Sequence, residues 1–519
     1  MDSDAANNAL QSWDILHGNV LLHNWIIGDA TYYTFELPLF VLVERVFGLH
    51  AIVTHIVSAI VYVILAVCAI AVARTGCRGL SAWIRAGVVV AILAASLLTA
   101  PGVSIAVEKP DHTGTAAIML LCFLIVDRLS GRLWMPVLLC VILTLGQVGD
   151  ATVLYVAVPS IAIVSLYRII FVRRVKLLDR LRMPDALTLV VTGVSIPLAK
   201  WIYSGLQHLG AYSMIAPRTG FASSWSEVGA NFGLTGQALR ILFGAVTPRC
   251  RPGQGCGTAF HMPGAPLGVI GIGFGWLCIA AGLYGFGKVV WRWRRASRAE
   301  QFLCVAIVVN IAAYVFSSLP VLSNARELIA VVPCAAILAA RALVPERIQG
   351  AVRARVMAAV AGIAVVLPLA AAATVPTGVG TEVPLAAWLE AHGLTSGIGG
   401  YWDASAVTLQ SGGKVDIRAV KSRYFGIAGY PWETKISWYN PADNYANFVV
   451  ASTHGPVTNT DITAGIFEKY FGRPASVHLV ADRLVLIYHK NLLRNVTPPQ
   501  VPKGPVGSGH HGHRRHHRL

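Results

Sequence analysis

Long apolar stretches recur along the chain, many near the length that crosses a bilayer as a helix and several shorter, and mostly short polar loops separate them. A transmembrane helix needs about 20 mostly apolar residues, fewer where its ends are buried in protein. That ruler predicts about ten spans. They lie near Ala51–Ala73, Ala86–Val107, Thr113–Val126, Leu133–Val148, Ala151–Phe171, Ala186–Tyr203, Leu267–Val290, Phe302–Leu319, Leu328–Ala340 and Val356–Val375. From about Pro384 to Val496 the pattern changes to Gly-Gly turns, an amphipathic stretch Leu385–His392, and alternating runs Lys414–Arg418 and Arg483–Tyr488. That mixture predicts a small α/β or α+β domain. The expected organisation is a first segment with amphipathic helices over 1–50 and a helical core over 51–375. A soluble domain over 376–496 and a disordered His/Arg-rich tail over 497–519 follow.

Composition sharpens the membrane reading. Charged residues make up only 13% of the chain and hydrophobic ones 55%, where a soluble domain carries about 25% charged residues. So few charges cannot cover a water-exposed surface of this size. The net charge of +17 would suggest nucleic acid in a soluble protein. Here Arg and Lys fall in alternate short loops, which is how cytoplasmic loops are marked. One set holds Arg74, Arg78 and Arg85, then Arg128 and Arg132, then Arg173, Arg174, Lys176, Arg180 and Arg182. It continues with Arg292, Arg294, Arg295 and Arg298, then Arg341, Arg347, Arg353 and Arg355. Nucleic acid is therefore not the expected partner. The N-terminal segment, the long loop Gly205–Pro266 and the C-terminal domain are expected outside the cytoplasmic membrane.

Seven cysteines sit in or beside apolar runs, while Cys250 and Cys256 close a polar, Gly- and Pro-rich loop. If that loop faces an oxidising compartment, the pair predicts a disulfide. The outside segments also gather the ionisable residues: Asp2, Asp4, Asp14, His17, His23, Asp29 and Glu36, then Glu108, Lys109, Asp111 and His112, then Asp150, Arg326 and Glu327. Ionisable groups at membrane depth are held in protein-lined cavities, so their convergence from separate loops marks a candidate site. Each also has a plainer reading. Asp4 can cap the helix Ala5–His17, His17 and His23 can be packed polar residues, and Asp150 can close a turn. Arg326 and Glu327 do not face one another on a helix. Arg326 is therefore expected to meet an acid or a phosphate elsewhere. Lys200, near the outer end of its span, is a second candidate cation, or a snorkelling one.

The stretch Asp2-Ser-Asp-Ala-Ala-Asn-Asn-Ala-Leu-Gln-Ser-Trp-Asp-Ile-Leu-His-Gly-Asn19, then Glu36-Leu-Pro-Leu-Phe40 and Val46-Phe-Gly48, resembles the first extracytoplasmic loop of GT-C fold glycosyltransferases of the protein mannosyltransferase-like branch. Tyr401-Trp-Asp-Ala404 and Trp438-Tyr439 resemble a domain behind such cores in actinobacterial membrane proteins. The resemblance covers roughly the first 75 residues well. Relative to the family, the acidic pair is Asp-Ser-Asp, Glu36 precedes the Leu-Pro element, and a first span is expected to be missing before Met1.

The resemblance implies an inverting transferase acting outside the cell membrane. It would move a sugar from a polyprenyl-phosphate donor to a cell-envelope glycan, lipid or protein. It implies Asp2 or Asp4 as general base, since a hydroxyl nucleophile needs a positioned carboxylate. Arg326, with Lys109 or His112 assisting, would hold the donor phosphate, whose developing charge needs cations. Asp150, Glu36, Asp111 and Lys200 complete the candidates. No cofactor is implied with certainty, and a divalent metal is left open. Two rival readings stand beside it: a transporter or flippase of a lipid-linked precursor, and a degenerate transferase that only binds glycans. No internal repeat of the transporter kind is visible.

Overall fold

The computed structural model describes residues 3–98, 103, 112–128, 132, 134–171, 184–215, 220–245, 265–318, 320–348, 350–373, 380–423, 426–453 and 462–501. Asp2, Lys109, Asp111, Cys250 and Cys256 lie outside them. The chain is an α-helical polytopic membrane protein with a C-terminal α/β domain. Helix α1 (Ser3–Leu16) leads to strand β1 (Trp25–Ile27) and α2 (Glu36–Phe47). The core follows as α3 (Ile52–Ala73), α4 (Gly79–Ala95), α5 (Thr113–Arg128), α6 (Met135–Gly149), α7 (Val158–Phe171) and α8 (Pro184–His208). Then come β2 (Ser213–Met214), α9 (Trp225–Leu242), α10 (Ala265–Trp291), α11 (Arg298–Val315), α12 (Val331–Leu343) and α13 (Ala351–Ala373). A helix occupies each of the apolar stretches expected to span. Among the described residues, five helical segments are by themselves long and apolar enough to cross a membrane. Shorter apolar helices such as α5 and α6 pack into the same core, where Phe123 stacks on Phe302 with centroids 5.1 Å apart.

Two features differ from the sequence reading. The long loop Gly205–Pro266 contains α9, which starts at Ser224, whose side chain accepts from the Glu227 N–H. Its Gly229, Gly233 and Gly236 dilute the apolar signal, and its stability comes from packing on α11 rather than from propensity. Arg85 was expected in a loop but lies inside α4, buried, donating to the carbonyls of Val344 and Ala73. Orphan carbonyls at helix ends take such a donor readily. Arg341 likewise donates to Val72 and pairs with Glu300, which Arg292 also meets at 2.8 Å. Several arginine-bearing loops thus meet at one end of the bundle, where their guanidinium groups share a few buried acids.

In the C-terminal domain, α14 (Glu382–Ala391) precedes β3 (Ser396–Gly399), α15 (Tyr401–Gln410), β4 (Asp416–Arg423), β5 (Gly426–Gly429) and β6 (Thr434–Lys435). It continues with β7 (Phe448–Ser452), α16 (Ala464–Phe471), β8 (Ser476–Val480), β9 (Arg483–Ile487) and β10 (Val496–Thr497). The main sheet has the order β10-β5-β4-β3-β7-β9-β8. Strand β3 is parallel to both β4 and β7, and α15 supplies the β3-to-β4 crossover, as parallel strands require. A second sheet, β2-β1-β6, ties the first segment to the loop after α8 and to this domain. Trp25 on β1 stands edge-on to Trp438 at 5.0 Å, and Arg418 lies 4.1 Å over the Trp438 ring. Lys435 Nζ pairs with Asp14 at 2.9 Å beside them. Tyr401 and Tyr439 are buried, so much of this domain's aromatic content serves docking and core rather than an open surface.

Candidate active site

Strand β1 ends at Ile27, and the chain then turns past Gly28 to Asp29. Gly28 sits at a close approach: a β-carbon there would lie 3.1 Å from the Trp432 ring of the C-terminal domain, a tight contact. Beyond Asp29 the loop is stitched to the end of α6. The Thr31 and Tyr32 N–H groups both donate to the Gly149 carbonyl at 2.9 Å. The hydroxyl of Thr31 donates to Val148 at 2.7 Å and that of Thr34 to Leu145 at 2.7 Å. Gly149 has no room for a side chain, since its β-carbon would fall 2.5 Å from Thr34 Oγ1. These bonds set Asp29 next to Asp150, the residue that ends α6.

His112 starts α5 in a left-handed conformation, with φ +55°, which non-glycine residues adopt only when their surroundings hold them there. Two acids do so. His112 Nδ1 is 2.7 Å from Asp150 Oδ2, and Nε2 is 3.1 Å from Glu327 Oε1. Asp150 also accepts from the Thr115 hydroxyl and, at 2.8 Å, from the Thr152 N–H. With a carboxylate at each ring nitrogen, His112 acts as a double donor, an imidazolium. Burial alone would lower its pKa, but Glu327 and Asp150 raise it well above the free histidine range. Burial likewise opposes ionisation of Asp150, but His112, Thr115 and Thr152 outweigh it and hold the carboxyl at about 2. Glu36, at the start of α2, braces the same turn, because a β-carbon on Gly114 would collide with its carboxylate.

Asp29, His112, Asp150 and Glu327 line one cavity of about 420 Å³. Asp29 is half-buried. Burial pushes its carboxyl above the usual aspartate range; His112 and Arg326 pull it down, and Glu327 and Asp150 push it up. Tyr155, Phe221, Tyr314 and Phe316 supply aromatic walls. The mouth is fixed by pairing of 220–222 with 316–318: the Ala222 N–H donates to Phe316 and the Ser318 N–H to Gly220. Phe221 is 91% exposed there, and Trp225 stands edge-on to Phe316. Tyr155 belongs to a π-helical turn, Val153–Ala157, at the start of α7, a distortion found often at functional sites.

Of the ionisable residues gathered from the sequence, Asp29, His112, Asp150 and Glu327 line this cavity, although only His112 and Asp150 hold places in the site read from the sequence. Asp4 and Arg326 are not among its lining residues. They meet each other instead, Arg326 Nη1 standing 3.3 Å from Asp4 Oδ2. Asp4 is buried in the first turn of α1, where the Tyr401 hydroxyl donates to its Oδ1 at 2.6 Å. The same hydroxyl lies 2.8 Å from Glu433, and Asn7 donates to Glu433 while accepting from Ser405. This polar cluster pins α1 to the C-terminal domain. Lys200 lies on α8 at a smaller chamber of about 150 Å³, which Asp29 also lines. The segment Gly28-Asp-Ala-Thr-Tyr-Tyr33 had an available signal, an acid between a short β-rich run and a turn, but nothing local ranked Asp29 above the acids of α1.

Among the described residues, no three His, Cys, Asp or Glu side chains are gathered as ligands for a metal ion. His112 turns both ring nitrogens to carboxylates, and Asp150 is occupied by His112, Thr115 and Thr152. Among the described residues, these side chains are paired with one another rather than turned to a common point. The seven described cysteines are free.

No family model matches the chain, and no curated protein matches it. It is similar to solved structures of the Archaeoglobus fulgidus oligosaccharyltransferase. The apo form aligns at 14% identity and TM-score 0.46, over 87% of this chain and 66% of that one. A form tethered to an acceptor peptide containing the NVT sequon aligns at 13% and 0.48, over 87% and 65%. A complex with Zn and sulfate aligns at 14% and 0.47, over 90% and 67%. The chain thus spans about two thirds of the length of these structures.

Proposed function

We propose that this chain is an inverting membrane glycosyltransferase of the GT-C type, moving a sugar from a polyprenyl-phosphate donor to a cell-envelope acceptor outside the membrane. The observation that carries the reading is Asp29, a half-buried carboxyl with a raised pKa, lining a cavity beside the His112 bridge between Asp150 and Glu327. In this reading Asp29, rather than Asp4 or Asp2, is the general base. The acceptor hydroxyl gives its proton to Asp29 as its oxygen bonds the anomeric carbon. The bond from that carbon to the phosphate oxygen breaks, and its electron pair leaves with the polyprenyl phosphate. Desolvation makes Asp29 a stronger proton acceptor than a surface aspartate, which suits it to the task. His112, fixed by its two acids, supplies a stationary positive charge at the cavity. Asp4 holds the Arg326 guanidinium in place, with Arg326 near enough to act on Asp29 electrostatically.

The test is transfer of labelled sugar from polyprenyl phosphate in membranes carrying the parent or a variant. Asp29→Asn is expected to lower transfer by about 10² to 10⁴-fold, the usual loss for a general base, while Asp4→Asn retains most of it. Transfer at the parent's rate by normally produced Asp29→Asn would remove Asp29 from the mechanism. A parent inactive with every polyprenyl-phosphate sugar offered would remove the transferase reading.

A further inference from the structure

Away from the Asp29 cavity, an apolar groove of about 350 Å³ lies between α10 and α13. Helix α4 forms its floor: Ile84, Ala91 and Ile92 are buried there, with Val344 from the end of α12 buried beside them. The rims stand clear, Leu277 on α10 being 68% exposed and Val360 on α13 61% exposed. Close helix contacts set this spacing. Gly282 of α10 lies against α12, where a β-carbon would stand 3.0 Å from that of Ala335, and one on Gly87 of α4 would stand 3.2 Å from that of Ala361 on α13. The lining runs from Ile84 to Ile92 on α4 and from Val356 to Ala364 on α13, about 12 Å along each helix. That is most of one leaflet's hydrocarbon, about 15 Å, and far short of the roughly 30 Å that a partner's transmembrane helix would cover. The groove begins where the arginine-bearing loops meet. Ile84 follows Trp83, which is 66% exposed with Arg74 4.8 Å from its ring. Trp291, 94% exposed, closes α10 one turn beyond Lys288. Tryptophans placed this way mark headgroup level.

We propose that this groove seats an anionic phospholipid of the leaflet on the arginine-bearing side, one acyl chain lying along α4 and the phosphate held by Lys288 and Arg353. Helical spacing brings both cations to the groove's end. Leu277, Ala281, Tyr284 and Lys288 share one stripe of α10, and Arg353, Val356, Val360 and Ala364 share one stripe of α13. Lys288 Nζ is fixed in place: it donates to the Ala342 carbonyl at 2.8 Å, next to the groove-lining Leu343, and stands 5.8 Å from the Tyr284 ring. That bond uses one of three ammonium protons, so two remain for a phosphate oxygen. Arg353 is exposed and has no hydrogen-bond or ion-pair partner among the described residues, and its planar fork matches phosphate geometry. The acids of that end are turned elsewhere. Glu300 is taken by Arg292 and Arg341, and Glu346 lies by the loop after α3, where a β-carbon on Gly76 would stand 4.0 Å from its carboxylate. Basic positions between helices on the cytoplasmic side suit anionic headgroups. A polyprenyl chain serving Asp29 belongs elsewhere. The groove shares no lining residue with the Asp29 cavity, and Glu327 of the cavity and Val344 of the groove flank opposite ends of α12. The seat therefore stands whether or not the chain transfers sugar.

The purified, delipidated full chain is titrated with dioleoylphosphatidylglycerol and, separately, with dioleoylphosphatidylcholine, and retained lipid is counted by native mass spectrometry. The parent is expected to hold one phosphatidylglycerol about tenfold or more tightly than phosphatidylcholine, the scale of two basic side chains at a headgroup. Lys288→Ala with Arg353→Ala should abolish that preference. Lys288→Arg with Arg353→Lys keeps both charges and should keep it, which separates lost charge from lost structure. Val360→Trp, filling the groove from its exposed rim, should weaken both lipids. Arg294→Ala with Arg295→Ala, exposed cations of the same end outside the groove lining, should leave the preference in place. An undiminished preference in the Lys288/Arg353 alanine pair, or its loss in the charge-keeping pair, would overturn the phosphate seat. Undiminished binding by Val360→Trp would overturn the acyl groove. An equal loss in the Arg294/Arg295 pair would overturn the assignment in favour of diffuse attraction to anionic lipid, and displacement of phosphatidylglycerol by an equal amount of farnesol would overturn it in favour of a polyprenyl chain.

Discussion

Replacing His112 by Ala removes the cation between two carboxylates and leaves both facing a protein interior. The side chains of His112 and Asp150 are 9% and 7% exposed, and that of Glu327 is 23% exposed. Breaking a buried pair by deleting one partner costs about 3–5 kcal/mol. Glu327 is the more exposed of the two acids, so the loss falls mainly on Asp150, at about 3 kcal/mol. An independent figure is compatible. Holding the Asp150 carboxyl at about 2 instead of 3.8 corresponds to about 2 kcal/mol in favour of its ionised folded form. The sign follows from the two shifts. Asp150 is depressed, so its contribution is present above 3.8 and lost as pH falls through about 2. His112 is raised, so its contribution is complete below 6.5 and lost as pH rises through its folded value. Equilibrium unfolding in mixed micelles should show the parent losing stability on the alkaline side of 6.5, with that loss absent from His112→Ala. A cycle with Asp150→Asn should return a coupling of about 1–3 kcal/mol. A coupling below about 0.5 kcal/mol, or identical alkaline behaviour of parent and His112→Ala, would refute the bridge.

Two further substitutions test how Asp29 and the C-terminal domain are held. Gly149→Ala would drive a β-carbon onto the Thr34 hydroxyl and displace the loop that carries Asp29. A shift near 1 Å costs about 10²-fold in rate, and Gly149→Ala combined with Thr34→Ala should recover part of it; full activity in the single variant would count against the stitching. Tyr401→Phe removes the hydroxyl between Asp4 and Glu433 and should cost about 1–3 kcal/mol for the buried acceptors left behind, read by the same unfolding assay. An unchanged midpoint would show that this hydroxyl does not hold α1 to the C-terminal domain.

The helical core was legible because apolar length is a local property. Each expected span overlaps a helix within the described residues, down to the short α5 and α6, and the Gly-rich alternating pattern after Pro384 is a mixed sheet. Helix α9 was not legible, since its glycines and polar residues carry weak hydropathy and its packing partners lie far along the chain. Arg85 was misplaced for a related reason: a charge reads as a loop unless the carbonyls that receive it, here Val344 and Ala73, are known. The site was half legible. His112 and Asp150 stand out as ionisable residues at helix ends, and their contact spans a separation no local pattern encodes.

The choice between Asp4 and Asp29 illustrates what local pattern leaves out. Both are acids in the first segment, and Asp4 has the position at the start of α1 that family resemblance favours. Three long-range facts reverse the order. Tyr401 and Arg326 engage Asp4. Gly149 receives the backbone of Thr31 and Tyr32, which pulls Asp29 to the end of α6. Strand β1 sits between β2 and β6, so the residue two places beyond it is anchored by the loop after α8 and by the C-terminal domain at once. The C-terminal domain is therefore part of what positions the candidate base, through β6 and through the Trp432 ring against Gly28. A carboxyl fixed from three directions keeps its geometry while one side of it is desolvated, which is the condition under which a raised pKa assists proton transfer instead of loosening the loop.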